Sequence, residues 1–337
     1  LALLNTLIFR EQVLIDLGYD DIIDGQVLTA SISTIDSLNL DFKNITNLDG
    51  IEDFLNLIYL RCVANNLTSL DVSNNDTLKY LICSDNFLTN LDLTQNLALE
   101  LLDCGSNQLT NLNLTQNLDL THLACYNNQL VSLNIIGNSN LTYLSCPTNL
   151  LTELNLSGCF DLNQLICAEN LLESLDISMC PYLRNLICVD NQLNCLNLKN
   201  GLTDSVNNPM YYIEAFLNPN LNCIEVDNPV WATQNLSNID AGVIFSNNCN
   251  YPLNCFFSST NIEDYQSNIS LYPNPTTGIV ELQGINGSFK VDVYDYAGKY
   301  LQSTSRSTID LSDYPSGIYF LKVAYGDKTE ELRVVKE

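Results

Sequence analysis

The sequence predicts a mainly β protein in two parts: a solenoid of short parallel strands with a cap at each end, then a small antiparallel β-sandwich. Three observations carry this. Cysteines stand at Cys62, Cys83, Cys104, Cys125, Cys146, Cys167 and Cys188, each 21 residues after the last. Leucine and asparagine recur in phase with them, without a slip, over the same seven copies. From Ile269 onward cysteine disappears, and short alternating segments separated by Pro- and Gly-bearing turns take over.

Each copy places leucine five and two residues before the cysteine (Leu57 and Leu60 through Leu183 and Leu186) and asparagine three after it (Asn65 through Asn191). Leucine returns five and eight residues after the cysteine, and an aliphatic residue ten after, from Val72 to Leu198. The alternation Leu60-x-Cys62 is that of a strand, so Leu60 and Cys62 are expected to point inward and Tyr59, Arg61 and Val63 outward. Equal copies stack these strands into a parallel sheet on the concave side. The recurrent asparagine turns the chain out of the strand, because its amide both donates to and accepts from the backbone groups that a tight bend leaves unpaired. A period of 21 leaves no room for a long helix, so the back is expected to be extended strand or single helical turns. One copy cannot bury its own apolar face; stacked neighbours can.

The pattern L-x-x-L-x-C-x-x-N-x-L resembles the leucine-rich repeat, with cysteine at a strand position more often filled by leucine. A divergent copy, with Leu38, Leu40, Ile45 and Leu48 in phase but Lys43 in place of asparagine, precedes the seven, and Ile45 to Ile51 looks like an internalin-type bacterial repeat. The repeats are therefore placed at residues 35–198 and an N-terminal cap at 1–34, where Val13, Leu14 and Leu17 lie at helical spacing ahead of Gly18. Asp16, Asp20, Asp21 and Asp24 precede Gly25 but lack the alternating order of a calcium loop, so a solvated turn is expected there. Residues 199–255 look like the terminal cap that follows such repeats in secreted bacterial proteins. That resemblance implies a last strand at Asn220 to Asp227 and a disulfide between Cys223 and Cys249.

The seven ladder cysteines are expected to stay reduced. Neighbouring strands lie about 4.8 Å apart with parallel side chains, whereas a disulfide needs Cβ atoms roughly 3.5–4.5 Å apart and facing each other. No histidine accompanies them, so packing rather than metal binding is their expected role. Cys159 and Cys180 occupy in adjacent copies the turn position filled earlier by Asn75, Asn96, Asn117 and Asn138; they either pair or remain thiols. Cys195 and Cys255 are left without an assignment.

Charge narrows the partners. Of 39 acids and 13 bases, residues 1–268 hold 30 and 6, so the acidity belongs to the repeat part. Such a surface repels phosphate backbones and anionic membranes, which argues against nucleic acid as a ligand. No apolar run approaches the ~18 residues of a membrane span. The chain begins with Leu1 rather than Met, and a processed or truncated product whose export signal lies outside the sequence is expected.

Residues 256–268 are polar, without period, and read as a linker. Residues 269–337 carry Tyr272-Pro273-Asn274-Pro275-x-x-Gly278, then Val291-x-Val293-Tyr294-Asp295-x-x-Gly298-Lys299, then Leu311-Ser312-x-x-Pro315-Ser316-Gly317-Ile318-Tyr319, and close on Arg333 to Lys336. Strands are expected at Val291-x-Val293, Ile309-x-Leu311, Ile318-x-Phe320 and Leu332-x-Val334. These motifs are similar to the C-terminal sorting domain of the type IX secretion pathway. The resemblance implies that the secretion machinery and a sortase act on residues 269–337. It also implies that the chain reaches the extracellular space or outer-membrane surface of a Gram-negative bacterium, where the domain is cleaved and often replaced by a lipopolysaccharide anchor.

Because inward positions are committed to the core, ligand contact falls to the outward ones. The first outward column reads Tyr59, Tyr80, Leu101, His122, Tyr143, Gln164, Asn185, and a later one includes Tyr126. This face has few charges and several aromatics, so Tyr59, Tyr80, His122, Tyr126 and Tyr143 form the candidate patch for a protein or glycan ligand. His122 is the sole histidine and has Leu101 and Tyr143 as column neighbours, which supplies no catalytic pair. No phosphate-binding or metalloprotease motif occurs, and neither cofactor nor metal is expected. The sequence therefore points to a secreted or surface-anchored binding or adhesion protein; the alternatives are a passive structural component of the surface layer or matrix, and a fragment of a degradative enzyme. Asp36-Ser37-Leu38, Asp76-Thr77-Leu78 and Asp204-Ser205-Val206 resemble bacterial O-glycosylation sites.

Overall fold

The structure, a computed structural model, describes residues 32, 34–202, 212–252, 255, 270–272, 276–283, 289–295, 299–325 and 328–336. The expected helix at Arg10 to Leu17, the acidic run Asp16 to Asp24 and the linker 256–268 lie outside these residues. The chain divides into two compact units, residues 1–258 and 259–337.

In the first unit each copy contributes one three-residue strand: β1 (Ser37–Asn39), β2 (Tyr59–Arg61), β3 (Tyr80–Ile82), β4 (Leu101–Asp103), β5 (His122–Ala124), β6 (Tyr143–Ser145) and β7 (Gln164–Ile166). Then β8 (Ser174–Asp176) and β10 (Cys195–Asn197) form on the back of the coil, while β9 (Asn185–Ile187) and β11 (Tyr212–Glu214) continue the front. The front is one parallel sheet of nine strands, β1 to β7, then β9 and β11. Its register carries Leu38, Leu60, Leu81, Leu102, Leu123, Leu144, Leu165, Leu186 and Ile213 in a single row. Every leucine from Leu60 to Leu186 in that row is fully buried, as is every ladder cysteine. All seven cysteines are free thiols, and burial pushes those of Cys62, Cys146 and Cys188 up to about 12, where a thiolate nucleophile is not available.

The asparagine column works as its chemistry requires. Asn86 donates from Nδ2 to the carbonyls of Cys62, Cys83 and Ser84, while its Oδ1 accepts the Leu67 amide at 3.0 Å. Asn107, Asn149, Asn170 and Asn191 repeat this one coil at a time. The ladder also runs one copy past Leu198, which the sequence reading took as its end. Asn218 donates to Cys188, Ala215 and Phe216 and accepts Leu193 N. The insertion between β10 and β11 stretches that copy and hides it from a fixed-period reading. A second buried column, Asn75, Asn96, Asn117 and Asn138, ties the back turns together through Nδ2. Cys159 and Cys180 extend this column as buried free thiols.

The bend before each ladder asparagine is made in the left-handed region without glycine: Ala64, Asp85, Ser106, Asn127, Thr148, Glu169 and Asp190 have φ between 48° and 56°. Thr148 is the β-branched member (φ 56°) and should bear the largest strain. Left-handed φ costs an L-residue about 1–2 kcal/mol, and glycine avoids that while giving back roughly 0.5–1 kcal/mol of chain entropy. Thr148→Gly is therefore expected to stabilise the solenoid by about 0.5–1 kcal/mol, read as a higher urea midpoint at unchanged slope.

At the C-terminal end, β12 (Cys223–Glu225) and β13 (Ile244–Ser246) join β10 and β8 in a four-stranded parallel sheet on the back. The strand expected within Asn220 to Asp227 is thus β12, on the back of the coil, and β11 ends the front. Helix α1 (Pro229–Asn235) starts on Asn228, whose side chain accepts from Val230 N and Trp231 N. Asp240 accepts the Leu217 and Asn218 amides, standing in for the next coil. Cys223 bonds Cys249 (Cα–Cα 5.9 Å), and Cys195 bonds Cys255 (Cα–Cα 6.1 Å), a pairing the sequence reading had left open.

The second unit faces a three-stranded antiparallel sheet, β14 (Ser270–Tyr272), β15 (Ile279–Gln283) and β18 (Thr308–Asp310), with a four-stranded one. The latter comprises β16 (Phe289–Asp295), β17 (Tyr300–Thr304), β19 (Gly317–Tyr325) and β20 (Lys328–Lys336). Val280, Val291, Val293, Ile309, Leu311, Leu321, Val323 and Val334 fill the space between them. In β19 the inward set is Tyr319, Leu321 and Val323, while Phe320 is exposed. This is one residue out of step with the expected Ile318-x-Phe320, and a one-residue slip exchanges the faces of a strand.

Candidate functional site: the concave sheet and the sorting corner

Strand register lines up the first outward column as Tyr59, Tyr80, Leu101, His122, Tyr143, Gln164, Asn185 and Tyr212. Tyr59 and Tyr80 lie with ring centroids 6.3 Å apart at 45°, and His122 and Tyr143 stack at 5.9 Å and 23°. Parallel strands hold equivalent side chains one strand apart, so aromatic neighbours necessarily lean on each other. The Tyr80 hydroxyl donates to Glu100 Oε2 at 2.9 Å, and Lys79 Nζ meets Glu100 Oε1 at 2.6 Å. These bonds from Lys79 and Tyr80 hold the Glu100 carboxyl below the usual carboxylate range. His122, exposed, shares a 2.9 Å contact from Nδ1 to the Thr121 hydroxyl.

Tyr126 does not belong to this row. It lies in the column that follows the cysteines, and that column is less open than the alternation suggested: Val63, Ser84 and Gly105 are buried there. The ring of Tyr126 folds back over Gly105, where a Cβ would stand 2.3 Å from its carbons. Only glycine at 105 leaves room for that pose. Asp103 accepts from Gly105 N at 3.1 Å and from the Ser84 hydroxyl at 3.4 Å. The cluster of Ser84, Asp103, Gly105 and Tyr126 escaped the sequence reading. Its one legible signal is a small residue, Ser84 then Gly105, in each of the two copies ahead of Tyr126.

The middle column runs Arg61, Ile82, Asp103, Ala124, Ser145, Ile166, Ile187. Arg61 forms an ion pair with Asp41, which also accepts Val63 N at 2.8 Å. From β5 through β9 the three columns carry no Asp, Glu, Lys or Arg, and Ala124, Ile166 and Ile187 form an uncharged floor in a chain of net charge −26. Of the three glycosylation-like triads, Asp204 to Val206 lies outside the described residues. Ser37 is exposed on β1, and the Thr77 hydroxyl donates to Leu57 O at 3.0 Å.

In the second unit the scattered motifs meet at one corner. Thr276 N donates to Val335 O at 2.8 Å, Leu311 N to Gly278 O at 2.6 Å, and Lys336 Nζ to the carbonyls of Ser312, at 3.0 Å, and Tyr314. A Cβ on Gly278 would come within 3.3 Å of the Ser312 backbone, which explains the glycine. Gly317 opens β19 and Tyr272 is exposed at the end of β14; Pro273, Asn274, Pro275 and Gly298 lie outside the described residues. Among the described residues no helix is long and apolar enough to cross a membrane.

Residues 270–337 match the family described as secretion system C-terminal sorting domain. A comparison with curated proteins finds no match. Among solved structures, the chain is similar to the functional domain of InlJ from Listeria monocytogenes, which includes a cysteine ladder (20% identity, 92% of each chain covered, TM-score 0.41). It is also similar to internalin C2 from Listeria monocytogenes (22% identity, 71% of this chain and 92% of that one, TM-score 0.48). A third is YopM, a leucine-rich effector protein from Yersinia pestis (23% identity, 52% and 46%, TM-score 0.40). With seven in-phase copies, one row of inward leucines and this C-terminal match, the chain is a leucine-rich-repeat solenoid marked for export by a secretion system C-terminal sorting domain.

Proposed function

We propose that this is a secreted, non-enzymatic leucine-rich-repeat protein that holds another macromolecule, a protein or a glycan, on its concave sheet and so acts in binding or adhesion. The observation that carries this reading is the floor itself: aromatic and aliphatic side chains collected on one face that is free of charged side chains from β5 through β9, in a very acidic chain. Residues 269–337 are the part addressed by the type IX machinery and a sortase, which deliver the chain to the surface or surroundings of a Gram-negative bacterium.

Half-buried tyrosines at the centre of an interface commonly contribute 2 kcal/mol or more each. Tyr80→Ala combined with Tyr143→Ala is therefore expected to weaken binding to targets on a combined glycan and protein array at least tenfold. The unfolding midpoint should move little by comparison. Undiminished binding would remove the concave face from the reading. Concentration-dependent self-association in light scattering would then favour a passive structural component.

A further inference from the structure

Asp103 is out of keeping with the floor around it. The register sets it between Ile82 and Ala124, half-buried, with Gly105 N and the Ser84 hydroxyl on its two oxygens and the Tyr126 ring alongside over Gly105. Among the described residues no basic side chain lies within ion-pair distance of it. Arg61, two strands away, is engaged by Asp41, and Lys79 by Glu100. Burial pushes its carboxyl above the usual range and Asp85 adds to that, against the hydrogen bonds from Gly105 and Ser84 and the charge of Arg61, which pull it down. A carboxylate that has lost water without gaining an ion-pair partner is held at a cost to the fold. Ser145, two strands on in the same column, shows that an uncharged residue fits there.

We propose that Asp103, with Ser84 and Tyr126, is the subsite for a lysine or arginine side chain of a protein ligand laid along the concave sheet. The proposal rests on the concave-face reading and narrows it from macromolecule to basic polypeptide. Two features favour polypeptide over sugar. A sugar ring stacks flat on a free aromatic face, but Tyr59 with Tyr80, and His122 with Tyr143, pack ring against ring, with centroids 6.3 and 5.9 Å apart. The Tyr126 ring lies over Gly105, and burial and then the nearby Asp103 charge raise its hydroxyl, so an aromatic ring and an anion stand close enough together to suit a cation. The uncharged floor from Ala124 to Ile187 then receives aliphatic side chains of the same segment. Four strand spacings of about 4.8 Å, or roughly 19 Å, match about six extended residues.

The test pans a phage-displayed library of random 12-residue peptides against the full chain. Selected peptides are then titrated against wild type, Asp103→Asn, and the Tyr80→Ala, Tyr143→Ala double variant. The expected peptides share a Lys or Arg flanked by aliphatic residues. Replacing that residue by Gln, or Asp103 by Asn, weakens binding about tenfold or more. The two losses are not additive when combined, and wild-type affinity falls as salt rises. Peptides that need the tyrosines but change less than twofold with Asp103→Asn overturn the subsite and leave the concave face standing. Peptides indifferent to both sets of variants overturn both, as does a failure to enrich any peptide or glycan. Binding of glycans alone, through the same tyrosines, overturns the assignment to polypeptide.

A second readout separates a binding role from a structural one. With its folded pKa raised, the Asp103 carboxylate withdraws stability as pH climbs from the unfolded value, about 3.9, through the folded one, and Asn does not titrate. Asp103→Asn is thus expected to melt at or above wild type at pH 7. A fall of several degrees would mean that Asp103 holds the sheet together, and would end the proposal.

Discussion

Asn107→Ala is expected to cost the solenoid about 3–5 kcal/mol, a large effect for losing one polar side chain. The amide donates to Cys83 O, Cys104 O and Gly105 O at 3.1 Å each, and its Oδ1 accepts Leu88 N at 2.9 Å. The carbonyls keep other partners: Asn86 still reaches Cys83 O, Asn128 reaches Cys104 O, and Asp85 N reaches Gly105 O. The Leu88 amide keeps none of comparable quality and is buried under the next coil. Three lost donations at roughly 0.7 kcal/mol each, toward the low end of the net value because their carbonyls keep other partners, plus the orphaned Leu88 N–H at about 1–3, give the range stated. Urea melts of wild type and variant measure it directly. Because each coil touches only its neighbours, the weakened coil should also let the two halves unfold apart, so the slope of the transition falls with its midpoint. A variant within 1 kcal/mol of wild type would show that the bends are held by backbone alone.

Leu123→Ala is expected to cost about 2–5 kcal/mol, toward the upper end of that range. Leu123 is fully buried in the leucine row between Leu102 and Leu144. The asparagine columns pin the coils on either side, so the space left by the side chain cannot collapse. Leu97 provides the contrast: the same residue type, but 55% exposed on the outside of a turn, where alanine should change stability by no more than about 0.5 kcal/mol. Comparing the two melts isolates the contribution of position within the period from that of hydrophobicity alone.

Where the sequence was legible, the reason is periodicity. Leu60 and Cys62 face inward because strand alternation and coil length leave no other choice, and what holds for one copy holds for seven. The same logic misread Val63, which is buried, and the column after the cysteines is closed at Gly105 by the Tyr126 ring of the next coil. It lost Asn218, because an insertion moved that asparagine out of phase while leaving its hydrogen bonds intact. In the C-terminal unit the motifs were readable as text, but Phe320 was placed on the wrong face. A run of consecutive apolar residues does not state its own register. In the sequence Asp103 is one acid among many, since only the fold pairs Arg61 with Asp41 and Lys79 with Glu100 and leaves Asp103 without an ion pair.

By itself, then, the order of residues settled the coil length and the buried rows of leucine, cysteine and asparagine, which follow from short-range spacing, while the terminal domain was legible only through the resemblance of its motifs to a known family. Three dimensions decided the rest: that Cys195 meets Cys255 across 60 residues, that the last strands divide between front and back, and that Asp103 accepts from Gly105 and Ser84 where the Tyr126 ring folds over Gly105. Such outcomes depend on which distant segments are brought within a few ångströms of one another. Spacing along a chain does not specify that distance until the coils have stacked.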